Sequence, residues 1–391
     1  MTPAHPRLTA FLEETGTDGY LIDADGEDSN QYYLSGFHAM GDFTTLYTDG
    51  DIRLLVPDLV YSRARAESDG DSIRRRSEFD YGELVVEHGP VKAAPLATAA
   101  FVSENEIGSV SVPPYFPNAT ADVLRNEGVE VVTDYADTVA SIRAVKTDEE
   151  IEHIAATQRA NEKAMAVAEG MLERATVEAG VLRLDGEVLS SERIRRAIEV
   201  TLLEEDCGLS DCIVASGAEG ARAHAVGSGP IEAGEPIIID VFPRHKESRY
   251  FGDMTRTFVK GEPRAEIKAW YDLTREAYEA ALGAIRPGVT GKAVNDTVCD
   301  VFEREGYPTL RTDESTEDGF TSITGHGVGL DVHEQPKLGW GGGELQPGHV
   351  VTVEPGLYER GVGGVRLEDL VVVTEEGYEN LTDYPRGLGV V

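Results

Sequence analysis

Four apolar, strand-like runs in the second half of this chain each carry a carboxylate in an apolar setting. That repetition restricts the possible fold more than any other feature. "PIIIDVF" (236–242) sets Asp240 among isoleucines. "RYFGDMTRTFV" carries Asp253, with Thr255 and Thr257 on the same face of a strand by alternation. "HVVTVEPGLY" ends a valine strand at Glu354, and "GGVRLEDLVVVT" reads as one strand holding Glu368, with Arg366 and Leu370 on its face. An ionised carboxylate in such a run is costly unless it is paired or bound to metal. Taken singly, each is a strand-end or ion-paired residue, and Glu368 beside Arg366 reads as an ion pair. All four strands repeat the anomaly in order, as two hairpins. Four anions gathered in a low dielectric repel by on the order of several kcal/mol, and two divalent cations would neutralise them.

Between the hairpins lies "TGHGVGLDVHEQP" (324–336), in which His326 and His333 are followed by Glu334. His326 can supply a nitrogen ligand between the two carboxylate pairs. "HEQPK" is not H-E-x-x-H, and Pro336 discourages a helix there. "GHGVG" lacks the G-x-G-x-x-G spacing of a dinucleotide loop. "GSG" at 227–229 is not a nucleophile elbow, and no constellation supports serine or cysteine catalysis.

Charge excludes other classes. The 391 residues hold 71 Asp and Glu against 35 Lys and Arg, a net charge of −36. Only 8 of the basic residues are lysines. Such a surface repels nucleic acid and anionic membranes. With lysine so scarce, it reads as a halophile's surface, screened in high salt. Three cysteines, Cys207, Cys212 and Cys299, without a CxxC pair, point to a reducing compartment. "MTPAHPRLTAFLEETG" lacks a signal-peptide pattern, and no apolar run is long enough to span a membrane, so a cytoplasmic protein is expected.

The expected class is α/β (α+β) in two domains, 1–140 and 141–391. The first alternates short strands and helices, with "NQYYLSGF" read as a strand and "PNATADVLRNEG" as a helix with Asn118 as its cap. Thr147 and Glu150 form a capping box that opens a long helix, whose apolar stripe is interrupted by Gln158. Helices at about 148–173 and 189–205 precede a strand at "CIVASG"; helices at 264–285 and 291–305 again precede strands. This order suggests two similar helix–helix–sheet halves.

Asp240, Asp253, His326, Glu354 and Glu368, in that order, resemble the ligand set of the pita-bread metallopeptidases. "GDMTRTF", "GHGVGLDVHEQP", "VEPGLY" and "GVRLEDLVVV" resemble the aminopeptidase P and prolidase branch, and "RAVKTDEEIEHI" resembles the linker before its catalytic domain. "YYLSGF" is similar to its creatinase/prolidase-type N-terminal domain. The resemblance implies a pita-bread catalytic domain with pseudo-twofold halves, preceded by an α/β domain that dimerises or shapes the substrate entrance. It implies that Asp240 chelates one metal, Asp253 and Glu368 bridge two, and His326 and Glu354 hold the second. The metals would be manganese, with cobalt or zinc as alternatives. Glu354 would take the proton of the attacking water. His224, in "ASGAEGARAHAVG", would contact substrate, and His333 would stabilise the oxyanion or shuttle a proton.

The implied activity is hydrolysis of the Xaa-Pro bond of small peptides, first as an aminopeptidase, alternatively as a dipeptidase. A non-catalytic binding protein and a creatinase-like hydrolase rank behind these, because every ligand is kept. Prolidase-like enzymes need a basic group for the free carboxylate, but Arg256 and Arg366 lie in motifs common to both activities. Two departures stand out. Twelve residues separate Asp240 from Asp253, more than is usual in the family, and "VLRLDGEVLSSERIRR" (181–196) is long enough to be a lid or an oligomer contact.

Overall fold

The computed structural model describes residues 5–391 apart from residue 223. Residues 1–4 of the "MTPAHPRLTAFLEETG" segment lie outside the described residues, and a helix runs from His5 to Thr15. The chain forms two compact units, Met1–Arg143 and Ala144–Val391.

The first unit is built on a six-stranded sheet of β1 (Gly19–Asp25), β2 (Asp42–Thr48), β3 (Asp51–Val56), β4 (Ser72–Arg75), β5 (Ser109–Val112) and β6 (Glu130–Thr133). Their spatial order is β4-β3-β2-β1-β5-β6. The first three strands pair antiparallel; β4, β5 and β6 join in parallel. Apolar residues cover both faces. Tyr20 and Ile22 pack with Leu8, Phe37 and Phe43, while Leu21 between them packs with Phe101 and Val110. That is why Tyr20, Leu21 and Ile22 of β1 are apolar in succession and do not alternate with polar residues.

"NQYYLSGF" is not a strand. It lies largely in a helix, Ser29–Ser35, whose N-cap Asp28 accepts from the Gln31 amide at 2.8 Å and which ends on Gly36 in the left-handed region, φ 62°. Cap chemistry at both ends outweighs the β-propensity of the two tyrosines. Asn118 is the first residue of the helix Asn118–Asn126, not its cap; Pro117 precedes it.

The second unit repeats one arrangement. Helices Asp148–Arg174 and Ser191–Glu204 cover a sheet of β7 (Cys212–Ser216), β8 (Pro236–Val241), β9 (Met254–Val259) and β15 (Gly389–Val390), in the order given. Helices Ala265–Ala284 and Gly291–Arg304 cover the second sheet. That sheet consists of β10 (Gly325–Gly327), β11 (Glu334–Leu338), β12 (Val350–Val353), β13 (Asp369–Val373) and β14 (Tyr378–Asn380), in the order β11-β10-β12-β13-β14. The Thr147–Glu150 capping box opens the first long helix as expected, with both reciprocal hydrogen bonds made.

Strand alternation decides which side chains reach the site. Ile237, Ile239 and Val241 of β8 pack under the first helix pair, so Asp240 points to the other face. Val351 and Val353 of β12 pack under the second pair, which turns Thr352 and Glu354 away from the helices. Each fully buried branched side chain contributes about 1.5–3 kcal/mol, so the apolar face of β8 can offset one paired carboxylate opposite it.

The segment after the first long helix is not a free excursion. Thr176–Glu178, Val181–Leu184 and Glu187–Val188 form a small meander. Its Leu182 and Leu184 are buried in the core of the first half, and Arg193 donates to Val188 O at 2.8 Å. Among the described residues, no helix is long and apolar enough to cross a membrane.

Candidate metal centre

Asp240 lies within β8, opposite Thr255 of β9. Asp253 does not lie inside a strand. It immediately precedes β9, although it keeps the face of Thr255 and Thr257. Glu354 follows β12, as the sequence suggests. "GGVRLEDLVVVT" is not one strand either. Gly363–Arg366 pairs with Gly356–Glu359, whereas Asp369–Val373 pairs with β12. Glu368 sits in the break, where the backbone passes from one partner to the other and the Glu368 amide donates to Thr255 O at 3.2 Å. That bond joins the second half to the first directly beside the site.

The side chains converge. Ligand atoms of Asp253, His326 and Glu368 lie within 4.8 Å of one another, and all three residues are buried. His326 Nε2 is 3.2 Å from Glu354 Oε1 and 3.8 Å from Asp253 Oδ2. Arg366 donates through Nη2 to Asp240 Oδ2 at 2.6 Å, through Nη1 to Tyr358 Oη at 2.9 Å, and through Nε to Thr255 Oγ1 at 3.1 Å. Thr255 in turn donates to Glu368 Oε2 at 2.7 Å. The Glu368–Arg366 ion pair suggested by the sequence is therefore relayed: the guanidinium contacts Asp240 and reaches Glu368 through a threonine.

Electrostatics disfavour full ionisation of this grouping without further positive charge. Burial, then Glu368 and Asp240, push the Asp253 carboxyl well above its ordinary range. Burial, then Glu354 and Asp240, do the same to Glu368. Burial raises Asp240 as well, against the opposing Arg366. Glu354 goes the other way: burial works against its ionised form, but the hydrogen bond and charge of His326 prevail and lower its pKa. Burial disfavours the His326 cation, yet Glu354 raises its pKa.

The donor set fits a pair of hard or borderline cations: four carboxylates and one imidazole face one another across two sheets. One observation is specific. Asp240 Oδ1 is buried and has no hydrogen-bond partner. A buried carboxylate oxygen left in that condition costs about 1–3 kcal/mol or more, and a cation beside it would remove the penalty.

The two further histidines differ in setting. His333 is exposed, with its ring edge-on to His326 and centroids 4.3 Å apart. Partial desolvation and then His326 hold its imidazole below the usual range, with His224 adding to the effect. His224 is exposed on the loop after β7, in a left-handed conformation with φ 62°. It lines an open cavity of about 390 Å³ with Glu219, Arg222 and Ser228.

Several supporting residues escaped the sequence reading. Gln158 binds both backbone groups of Asp253; its break in an apolar helical stripe was the available signal. Thr352 donates to Glu354 and accepts from the His326 amide. Arg256 is fully internal. It donates to Glu368 O at 2.6 Å, to Pro385 O at 2.7 Å and to Asp369 Oδ1 at 2.7 Å, and Tyr278 and Asn380 also bond Asp369. Nothing in the sequence separates Asp369 from the neighbouring Glu368 in role.

Comparison with known proteins identifies the family and the fold. The creatinase/prolidase N-terminal domain matches residues 5–145, and metallopeptidase family M24 matches residues 132–375. The Xaa-Pro dipeptidase of Pyrococcus furiosus is 28% identical, over 98% of this chain and 98% of its own length. The prolidase from Pyrococcus horikoshii OT3 superposes with a TM-score of 0.80 at 26% identity, covering 98% of this chain and 99% of that one. The X-Pro aminopeptidase from Thermotoga maritima MSB8 gives 0.77 at 27% identity, covering 97% and 99%. The architecture is thus the pita-bread fold behind a creatinase-type N-terminal domain. With a family match over more than half its length, the chain belongs to metallopeptidase family M24.

Proposed function

We propose that this chain is an Xaa-Pro dipeptidase that hydrolyses the bond between a first residue and proline. One observation carries the substrate: end-to-end similarity to the Xaa-Pro dipeptidase of Pyrococcus furiosus, covering 98% of both chains. It favours the dipeptidase over the aminopeptidase reading, which was placed first although the motifs are common to both. That reading keeps second place because the Thermotoga maritima X-Pro aminopeptidase matches over 97% of this chain.

In this reading Asp240, Asp253, His326, Glu354 and Glu368 would hold two divalent cations. Manganese is the first choice, since carboxylate-rich sites suit it. When bound, such ions supply Lewis acidity and make a water nucleophilic near neutral pH. Glu354, with its lowered pKa, is ionised at neutral pH and accepts the proton of the attacking water. His333, with its pKa also lowered, is neutral there and donates an N–H to the oxygen that gains charge. His224 contacts the substrate near the scissile bond.

Rates on Xaa-Pro and Xaa-Pro-Yaa peptides test the substrate, with manganese, cobalt or zinc restored to chelated protein. The dipeptide should be cleaved faster. Faster cleavage of the longer peptide makes the chain an aminopeptidase instead.

A further inference from the structure

His333 owes its place beside His326 to a hairpin. In the ladder between β10 and β11, Gly327 stands opposite Glu334, so residues 328–333 form a loop that returns His333 to the centre. Val328, Gly329 and Leu330 of this loop are buried, but His333 at its end is exposed, so its ring needs a hold of its own. The fixed point is Glu334, the residue after His333. Its carboxylate accepts from Lys146 Nζ, and the side chains are 0% (Lys146) and 4% (Glu334) exposed. It also turns back into its own loop, accepting from the Asp331 amide at 3.4 Å. A Cβ on Gly329 would lie 2.5 Å from Glu334 Oε1, so the backbone wraps closely around the carboxylate. Lys146 is itself immobilised: its amide donates to Gly348 O at 2.9 Å and its ammonium to Ala144 O at 3.2 Å.

A lysine and a glutamate this deeply buried are seldom neutral in effect. Removing one partner leaves the other charge stranded, while replacing both by uncharged groups of similar size is tolerated far better. The position matters more than the energy. Of the pairs that brace this unit, this one joins directly to a residue that faces the substrate.

We propose that the buried Lys146–Glu334 pair is a positioning device. It fixes the 328–333 loop so that the His333 ring stays edge-on to His326 and within reach of the reacting oxygen. The inference rests on the role given to His333 above, and concerns how that role is enforced.

The experiment is a double-mutant cycle on the cation-loaded full chain, assayed on an Xaa-Pro dipeptide. Glu334→Gln is expected to lower kcat about tenfold or more, with KM and bound-cation stoichiometry unchanged. In a His333→Ala background the same change should lower kcat no further, since nothing remains to be positioned. Equal losses in both backgrounds overturn the proposal and leave the pair a general brace. If Glu334→Gln does not fold, Lys146→Met/Glu334→Gln replaces it in the cycle, because it strands no charge. Full kcat in His333→Ala alone would refute the role of His333, not the pinning. Hydrogen exchange then decides: faster exchange across 329–334 in Glu334→Gln supports the pinning, and unchanged exchange overturns it.

Discussion

Gln158 holds Asp253 by both backbone groups: its Oε1 accepts from the Asp253 amide at 2.9 Å and its Nε2 donates to the Asp253 carbonyl at 2.9 Å. Glutamine interrupts the apolar stripe of the helix here because that face meets the Asp253 backbone at this point. Gln158→Leu would complete the stripe and strand two buried peptide groups. It should destabilise the protein by about 2–4 kcal/mol and weaken cation affinity by about 10–100-fold. Thermal unfolding and a cation titration measure the two effects. An unchanged titration means Asp253 is placed without this clamp.

Cation binding should release protons. Asp240, Asp253 and Glu368 all have raised pKa values, so without cations the centre keeps protons at a pH where free carboxylates have lost them. A group with a raised folded pKa stabilises below its unfolded pKa and loses that contribution as pH rises through its folded value. The chelated protein should therefore weaken as pH rises above the ordinary carboxylate range toward the raised values. The gap in Tm between cation-loaded and chelated protein should widen over the same interval. Calorimetric titration in two buffers of different ionisation enthalpy counts the protons; no buffer dependence near pH 6 would contradict this account.

The two histidines of the 324–336 segment should separate cleanly. His326→Ala removes a buried ligand and should reduce cation stoichiometry along with activity. His333 is exposed, so His333→Ala should change stability by no more than about 0.5 kcal/mol. Cation content should also hold, while kcat falls about 10²–10³-fold. Cation analysis beside steady-state kinetics on both variants makes the comparison. Loss of cations from His333→Ala would place that residue among the ligands.

Salt should stabilise this protein strongly. With a net charge of −36, repulsion acts across the whole surface. The screening length falls from about 30 Å at 0.01 M salt to about 3 Å at 1 M. Dialysis into millimolar salt should lower Tm and activity, and molar potassium chloride should restore both. Full activity after dialysis refutes the halophilic reading.

How much was legible follows from particular residues. Asp240 could be placed from sequence because the strand around it alternates regularly: Ile237, Ile239 and Val241 mark the helix side and leave Asp240 on the other. The capping box at Thr147 was equally plain, since cap chemistry is local. Asp253 and Glu368 were read as lying inside strands, and the structure gives them another local setting. Both sit where a strand has not yet begun, and such breaks are set by distant partners, here Gln158 and Thr255. Asp28 and Gly36 showed the opposite failure, where a good local signal was overlooked in favour of two tyrosines. The choice between dipeptidase and aminopeptidase was out of reach because the five ligands are common to both. The arginines do not decide it either: Arg256 and Arg366 are both engaged inside the protein.

Thr255 and Glu368 are joined by hydrogen bonds across 113 positions of chain. Asp240 and Asp253 come from the first half of the second unit, and His326, Glu354 and Glu368 from the second. Each half has its own helix-covered core and can collapse early around it. Neither half owns a usable ligand set. The closure entropy of so long a loop must be met before these groups see one another, which puts their meeting late in folding. A newly made chain would thus be well packed before it could grip a cation tightly. The ion then works as a latch between two finished pieces, not as a seed around which they form.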